Sequence, residues 1–106
     1  MIRITIERNS KGLICGFDAK GHADTGPRGQ DIVCAAVSVL TDSIFLGLDQ
    51  HLRRELEWRA EAGEIAVRLK DEPDELTETL LATMFLGLSE IQKSYPEKIR
   101  IREIRR

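Results

Sequence analysis

The sequence has few residues of the kinds that bind metals or cofactors. It contains only two cysteines, Cys15 and Cys34, and two histidines, and no two of these four residues have the close spacing of metal ligands. Its glycine-bearing stretch from residue 21 to residue 30 is not followed by Gly-Lys-Ser/Thr, which excludes a phosphate-binding loop of that type. We therefore expect no metal site and no cofactor.

An excess of one charge and a long apolar run are also missing. The 16 Lys and Arg residues nearly balance the 18 Asp and Glu residues, and because nucleic-acid binding normally needs a basic face, we expect no strong direct nucleic-acid binding. The apolar run that begins at Ile32 is interrupted at Thr41-Asp42-Ser43, short of the roughly 18 residues of a membrane span. The alternating N-terminus is not a signal peptide. We expect no membrane partner, a cytoplasmic location and, in that reducing compartment, no disulfide.

The length and composition are those of one folded unit. A chain of 106 residues fits a single domain, 1–106, and buries roughly two-thirds of the surface that its unfolded form exposes. Hydrophobic residues make up 42% of the chain and charged residues 32%, which excludes a disordered chain.

The hydrophobic pattern predicts five strands and two helices in the order ββαββαβ. Residues 2–7 and 13–20 alternate around a turn at 9–12, residues 56–61 and 65–70 alternate around Ala62-Gly63, and residues 98–106 form a last, basic strand. Helical spacing runs from Ile32 to about Gln50, and from the acidic residues before Glu75 to Pro96. The fold class is α/β, in the two-layer α+β sense, with a five-stranded mixed or antiparallel sheet and two helices on one face.

The same pattern predicts which side chains are buried. Cys15 alternates in phase with Phe17 and Ala19, so we expect it in the core and slower to react than Cys34. The first helix is apolar nearly all round, which predicts burial on every side. Trp58 is expected to anchor the core or a subunit interface. The second helix is expected to bury Leu76, Leu80, Met84, Leu88, Ile91 and Tyr95.

His22 and Cys34 are the candidate catalytic residues. They flank a glycine-bearing loop, and an imidazole base beside a sulfur nucleophile is typical of covalent catalysis. Asp31 precedes the apolar helix and is expected to be its N-cap, which places Cys34 in the first turn. Unpaired N–H groups and the helix dipole at that end stabilise a thiolate, so the Cys34 pKa should fall below about 8.5. The same N–H groups can hold an oxyanion.

Each of these residues also has a purely structural interpretation. A cysteine among Ile, Val and Ala is most often a small buried hydrophobe, and a lone histidine at a strand end is most often only hydrogen-bonded. Ser38, one helical turn beyond Cys34, either lies near the sulfur or bonds back to the Cys34 carbonyl, which is the commoner outcome. The loop 23–30, with Gly26 and Gly29, either closes over a bound peptide or is a simple connector.

The sequence resembles the ribosomal-processing cysteine protease (Prp, YsxB-like) family. The resemblance extends over essentially the whole chain, includes the twelve-residue separation of His22 and Cys34, and is carried by Gly21-His22-Ala23, Gly29, Asp31-Ile32-Val33-Cys34-Ala35 and Ser38. It implies a homodimeric cysteine endopeptidase that removes the N-terminal extension of a large-subunit ribosomal protein, its substrate. It also implies that His22 and Cys34 are catalytic, that Asp31 and Ser38 support them, and that Gly21, Ala23, Gly26 and Gly29 belong to the substrate loop.

Two other functions fit the residues. The short chain and its basic last strand also suit a non-catalytic ribosome-associated binding module whose cations touch ribosomal RNA, although a solvated sheet edge protected by charge explains that strand more simply. A hydrolase that acts on another acyl substrate is the third hypothesis.

The role of Asp31 also has two interpretations. Asp31 is either a helix cap alone or, in addition, a group that orients His22.

Overall fold

The computed structural model describes residues 1–21 and 31–106, which form five strands and two helices in the predicted order. The helices are α1, Ile32–Leu46, which continues as a π-helical turn, Gly47–His51, and α2, Glu75–Ser94. The strands are β1, Ile2–Arg8; β2, Ile14–Lys20; β3, Leu56–Glu61; β4, Glu64–Leu69; and β5, Ile99–Arg105.

The five strands form one mixed sheet with the spatial order β3-β4-β2-β1-β5. The β1–β2 and β3–β4 pairs are the two predicted antiparallel hairpins, and β2 pairs antiparallel with β4. β5 joins the outer side of β1 in parallel, with Ile2 opposite Ile99. This parallel pair makes the sheet mixed, one of the two alternatives that the sequence left open.

One face of the sheet packs against both helices. Partnered residues share a face, and the row Ile6, Phe17 and Val67 belongs to a single core that also contains Val37 of α1 and Met84 of α2. The opposite face carries mostly polar side chains from alternate positions of the same strands. The predicted two-layer fold is therefore confirmed.

The first helix is not buried all round, which corrects the prediction. Its buried side chains are those of Val33, Val37, Thr41 and Ile44. In contrast, Ile32, Val39 and Leu46 are 60%, 67% and 46% exposed. The sheet and α2 cover only part of this helix, so its apolar outer side remains at the surface.

By length and composition alone, one helix in the described parts of the chain, Ile32–His51, is suited to cross a membrane. The core helices of soluble proteins have the same two properties. Here Val37, Ile44 and Leu48 of this segment belong to the core formed with the sheet and α2. The segment is therefore weak evidence for a membrane span.

The buried stripe of α2 agrees with the prediction at Met84 and Leu88 but differs from it in the first two turns and at Tyr95. Its buried residues are Thr77, Leu81, Met84 and Leu88, whereas Leu76 is 57% exposed and Tyr95 is 36% exposed. Asp74 caps the helix by accepting hydrogen bonds from the N–H groups of Leu76 and Thr77, and the Thr77 hydroxyl accepts from the Asp74 N–H. This capping box turns Thr77 toward the core and Leu76 toward the surface.

Cys15 does not lie on the core face, because β2 contains a bulge. Glu7 pairs with Gly16 and Arg8 pairs with Ile14, so Cys15 is the extra residue between them. The bulge brings Ile14 into the core and leaves Cys15 half-buried, with its Sγ 3.5 Å from the Glu7 carbonyl oxygen. Partial burial, and then the Glu7 charge, raise the pKa of the Cys15 thiol, which agrees with the expectation that it reacts slowly.

Candidate active site

The first turn of α1 holds Cys34 through its backbone. The Cys34 N–H donates to Asp31 Oδ1 at 2.9 Å, and the Ala35 N–H donates to the Asp31 carbonyl oxygen at 3.1 Å. Asp31 is thus the N-cap, as the sequence predicts, and Cys34 is the third helical residue. The helix dipole and the unpaired amides of this turn place a partial positive charge near the sulfur.

Cys34 borders an open cleft of about 260 Å³ between α1 and one end of the sheet. The side chain is half-buried, so the helix position does not seal it from solvent. Ser38, one turn further along α1, lines the same cleft and is exposed. The neighbouring Thr41 hydroxyl, in contrast, bonds back to the Val37 carbonyl oxygen at 2.9 Å. Cys34 and Ser38 therefore line a common space.

The sheet side of the cleft depends on a close approach at Gly21. Gly21 has a φ of +99°, and its N–H donates to the Gly63 carbonyl oxygen at 2.9 Å. A Cβ at this position would lie 2.5 Å from the Met1 carbonyl oxygen, which no side chain tolerates. Glycine is therefore required where β2 ends, directly before His22.

The predicted base and most of the predicted substrate loop fall between the two described parts of the chain. His22, Ala23, Gly26 and Gly29 lie outside residues 1–21 and 31–106. The described chain nevertheless lines the cleft at Gly21, and it resumes three residues before Cys34. Gly21, the last described residue before this segment, therefore lies at the cleft, and Asp31, the first described residue after it, caps the helical turn that holds the candidate nucleophile.

Comparison with protein-family models decides the family. The model of the cysteine protease Prp matches residues 1–100. The chain belongs to the cysteine protease Prp family. The enzyme class predicted for the sequence, a cysteine protease, is thereby confirmed.

Two Prp sequences are similar to this chain over nearly their whole length. The ribosomal processing cysteine protease Prp of Staphylococcus aureus strain Mu50 is 34% identical over 104 residues, which are 95% of this chain and 97% of the relative. The protein of the same name from Bacillus subtilis strain 168 is 26% identical over 107 residues, which are 95% of this chain and 96% of the relative. The similarity therefore covers the candidate site as well as the strands and helices around it.

Solved Prp structures share the fold of this chain. A crystal structure of the essential ribosomal processing protease Prp from S. aureus, in complex with a covalently linked product peptide, superposes with a TM-score of 0.91. It is 27% identical to this chain and covers 98% of this chain and 100% of its own. A second S. aureus complex, with a substrate peptide, has a TM-score of 0.86 at 26% identity.

The cleft of this Prp-family chain also contains charged residues that the sequence did not single out. Lys20, Asp42, Glu61 and Glu64 all line it. Glu64 accepts from Arg59 Nη2 at 2.5 Å and lies 4.0 Å from Lys20 Nζ, whereas Asp42 and Glu61 have no ion pair within the described residues. Of these four, only Asp42 could have been predicted from the sequence, since it follows Cys34 and Ser38 at four-residue spacing on one face of α1.

Proposed function

We propose that this protein is a cysteine endopeptidase that removes the N-terminal extension of a large-subunit ribosomal protein. In this proposal Cys34 is the nucleophile and His22 is the general base. The observation that carries the proposal is the position of Cys34, which lies in the first turn of a capped helix and at an open cleft. The names of the related proteins, ribosomal processing cysteine protease Prp, support the substrate class.

In the proposed reaction, the base, the nucleophile and the groups that bind the oxyanion are different residues at or near the start of α1. His22 takes the thiol proton, and the Cys34 thiolate attacks the scissile carbonyl to form a tetrahedral intermediate. The Cys34 N–H is already bonded to Asp31, so the oxyanion is left to the N–H groups of Ile32 and Val33, which precede the first intrahelical bonds. The imidazolium protonates the leaving amine, and water then hydrolyses the thioester to regenerate the thiol.

The supporting residues act on the position of the nucleophile and the substrate. Asp31 fixes the first turn as a cap, and in the proposed reaction its carboxylate also orients His22. Ser38 extends the polar floor of the cleft one turn beyond Cys34. Gly21 begins the substrate loop, in which Ala23, Gly26 and Gly29 allow the chain to close over a peptide. The close contacts of Gly21 with Met1 and Gly63 support this role, because they give the loop a fixed starting point.

The experiment that tests this function is a mass measurement on the substrate. The purified chain is incubated with the extended ribosomal protein of its source organism, and the products are weighed by mass spectrometry. A single cut within the N-terminal extension supports the proposal. Stable binding with no cleavage would instead identify the non-catalytic ribosome-associated module, and cleavage of acyl substrates other than this protein would identify a different hydrolase.

We also propose that residues 1–106 act as a single cysteine-protease-like domain, in the cytoplasm, as a homodimer. The exposed side of α1 supports the dimer, because Ile32, Val39 and Leu46 recur every seven residues and form one apolar stripe. Trp58 packs on Phe45, the residue that precedes Leu46 of this stripe in α1. It is 56% exposed, and its ring centroid is 4.9 Å from that of Phe45 on α1. Burial of this stripe against a second copy removes it from water.

A charge within this stripe should break the dimer. Val39→Asp places a carboxylate at the centre of the proposed interface, where an unpaired charge is costly to bury. We expect the molar mass from light scattering to fall to that of one chain. Leu76→Asp is the matched control, since Leu76 is equally apolar and 57% exposed but lies on α2 outside the stripe. A dimer that survives Val39→Asp, or is lost equally in both variants, contradicts this interface.

A further inference from the structure

The face of the sheet opposite the helices carries a group of arginines at its β5 edge. In the β1–β5 register, Arg3 lies opposite Arg100 and Thr5 lies opposite Arg102. Their neighbours along the strands, Ile2 and Ile99, are buried on the helix face, so these three arginines project from the other face. All three are exposed. We call Arg3, Arg100 and Arg102 the arginine patch.

The arginine patch differs from the other arginines on the same face because none of its members forms a direct ion pair with a described carboxylate; Asp18, on the far side of Thr5 from Arg102, is the acidic group nearest to it in the strand register. Arg68 and Arg106 both bind Glu7, and Arg59 binds Glu64. Within residues 1–21 and 31–106, the patch arginines form no ion pair, and the one polar side-chain contact is from Arg102 Nη2 to Thr5 Oγ1 at 3.5 Å. The chain has a net charge of −2, but these three arginines place positive charge without a direct ion-pair partner at one edge of the sheet.

The geometry of the patch suits a chain of phosphates. Arg3 and Arg100 are on adjacent strands, which lie about 4.8 Å apart, and Arg100 and Arg102 are two residues apart on one strand, about 7 Å. Each guanidinium offers a planar fork of donors that matches phosphate oxygens. Three such groups, all exposed in the described part of the chain, can contact successive phosphates of an extended single strand.

We propose that the arginine patch is a weak, sequence-independent docking site for the phosphate backbone of single-stranded RNA. The patch contains no aromatic side chain on which a base can stack, so we expect its binding not to depend on the nucleotide sequence. Ile104, the apolar neighbour of Arg102 on the same face, is half-buried and not fully exposed, which argues against insertion into a lipid bilayer. The choice of RNA over DNA rests on the proposed function, because a ribosomal-protein substrate lies beside RNA; recognition of phosphate rests on the patch alone.

Three phosphate contacts predict an affinity that falls steeply with salt. For single strands, the slope of log affinity against log salt is about −0.7 per phosphate contact, which gives about −2 for three arginines. Such binding is measurable at low ionic strength and weak at physiological ionic strength. It is therefore compatible with the expectation, from the net charge, that the chain does not bind nucleic acid strongly.

The test is fluorescence anisotropy of a labelled 12-nucleotide oligouridylate at 20 to 150 mM salt. The patch variant is Arg3→Gln/Arg100→Gln/Arg102→Gln. The control is Lys11→Gln/Arg53→Gln/Lys70→Gln, which loses the same charge at exposed cations that have no ion pair in the described structure. We expect the patch variant to lose about tenfold or more in affinity at 20 mM salt and most of the slope, and the control to stay within about twofold of the unmodified chain.

Three outcomes overturn the proposal. The first is no binding of the oligonucleotide by the unmodified chain at 20 mM salt, and the second is an equal loss of affinity in the two triple variants. The third is that poly-glutamate competes as well as unlabelled oligonucleotide, which would indicate an acidic protein partner. Cys34→Ala separates this proposal from the proposed function, because it removes the nucleophile without touching the patch. If Cys34→Ala binds the oligonucleotide normally, docking and proteolysis are independent, and either can fail without the other.

Discussion

Replacement of Cys34 by alanine is expected to abolish cleavage of the extended ribosomal protein. The thiol supplies the electrons for the new thioester bond, and no other described side chain at the cleft provides a comparable nucleophile. Loss of a catalytic nucleophile typically costs several orders of magnitude, so we expect kcat to fall at least about 1,000-fold. The measurement is the initial rate of product formation, followed by mass spectrometry.

The structure indicates that this substitution leaves the fold intact. Asp31 caps α1 through the backbone N–H of residue 34, which alanine retains, and alanine is a good helix former. Circular dichroism and the unfolding midpoint of Cys34→Ala should therefore match those of the unmodified chain.

The matched control for this experiment is Cys15→Ala. Cys15 lies at the bulge of β2, outside the residues that line the cleft, and its raised pKa keeps it protonated near neutral pH. Its loss should leave the rate within about twofold of the unmodified chain. Equal losses in the two variants, or full activity in Cys34→Ala, would show that the nucleophile has been assigned wrongly.

The largest expected effect on stability is that of Leu81→Ala. Leu81 is 1% exposed and belongs to the core between α2 and the sheet. Truncation of a buried leucine removes its burial energy and leaves a cavity, which costs about 2–5 kcal/mol. Because a small domain has a total stability of only about 5–15 kcal/mol, the urea midpoint should fall markedly.

Leu76→Ala on the same helix is the control for this stability measurement. Leu76 is 57% exposed, so the same truncation should change the free energy of unfolding by less than about 0.5 kcal/mol. Urea unfolding of both variants, followed by circular dichroism, compares them directly. If Leu76→Ala is the more destabilised of the two, the stripe expected from spacing alone is right and the phase set by the Asp74 capping box is wrong.

Sequence periodicity was sufficient for the elements of this fold because each depends on local pattern. Ile2, Ile4 and Ile6 alternate with polar residues and form a strand whose inward side chains are all in the core. Asp31 precedes an apolar helical run and caps it, as local rules predict. The direction of β5 was not determined in this way, because its parallel pairing depends on where α2 returns the chain to the sheet.

Burial of individual side chains was harder to predict, since it depends on partners distant in sequence. The bulge at Cys15 arises from the pairing of β2 with β1, and the residue pattern of β2 alone does not predict it. The exposed stripe on α1 consists of the same residue types as the buried side, so hydrophobicity alone does not separate Val39 from Val37. In the first two turns of α2, Thr77 and Leu81 are buried in place of the predicted Leu76 and Leu80, whereas Met84 and Leu88 are buried as predicted.

The residues of the candidate site also fall into those that local sequence pattern could predict and those that it could not. The candidate nucleophile and the cap of its helix lie three residues apart, and local reasoning was enough to connect Asp31 with Cys34. The opposite wall, with Lys20, Glu61 and Glu64, comes from the ends of β2, β3 and β4. Those residues meet α1 only after the sheet has formed, so no spacing within the sequence connects them with Cys34.

The central claim, that the start of α1 ionises the Cys34 thiol, is tested most directly by alkylation across pH. The rate of iodoacetamide labelling at each cysteine is measured from pH 5 to pH 10 by peptide mass spectrometry. We predict a midpoint for Cys34 below the value of about 8.5 of a free thiol, and a midpoint for Cys15 above it. Equal, slow labelling of both cysteines with one midpoint at the free-thiol value would contradict the account.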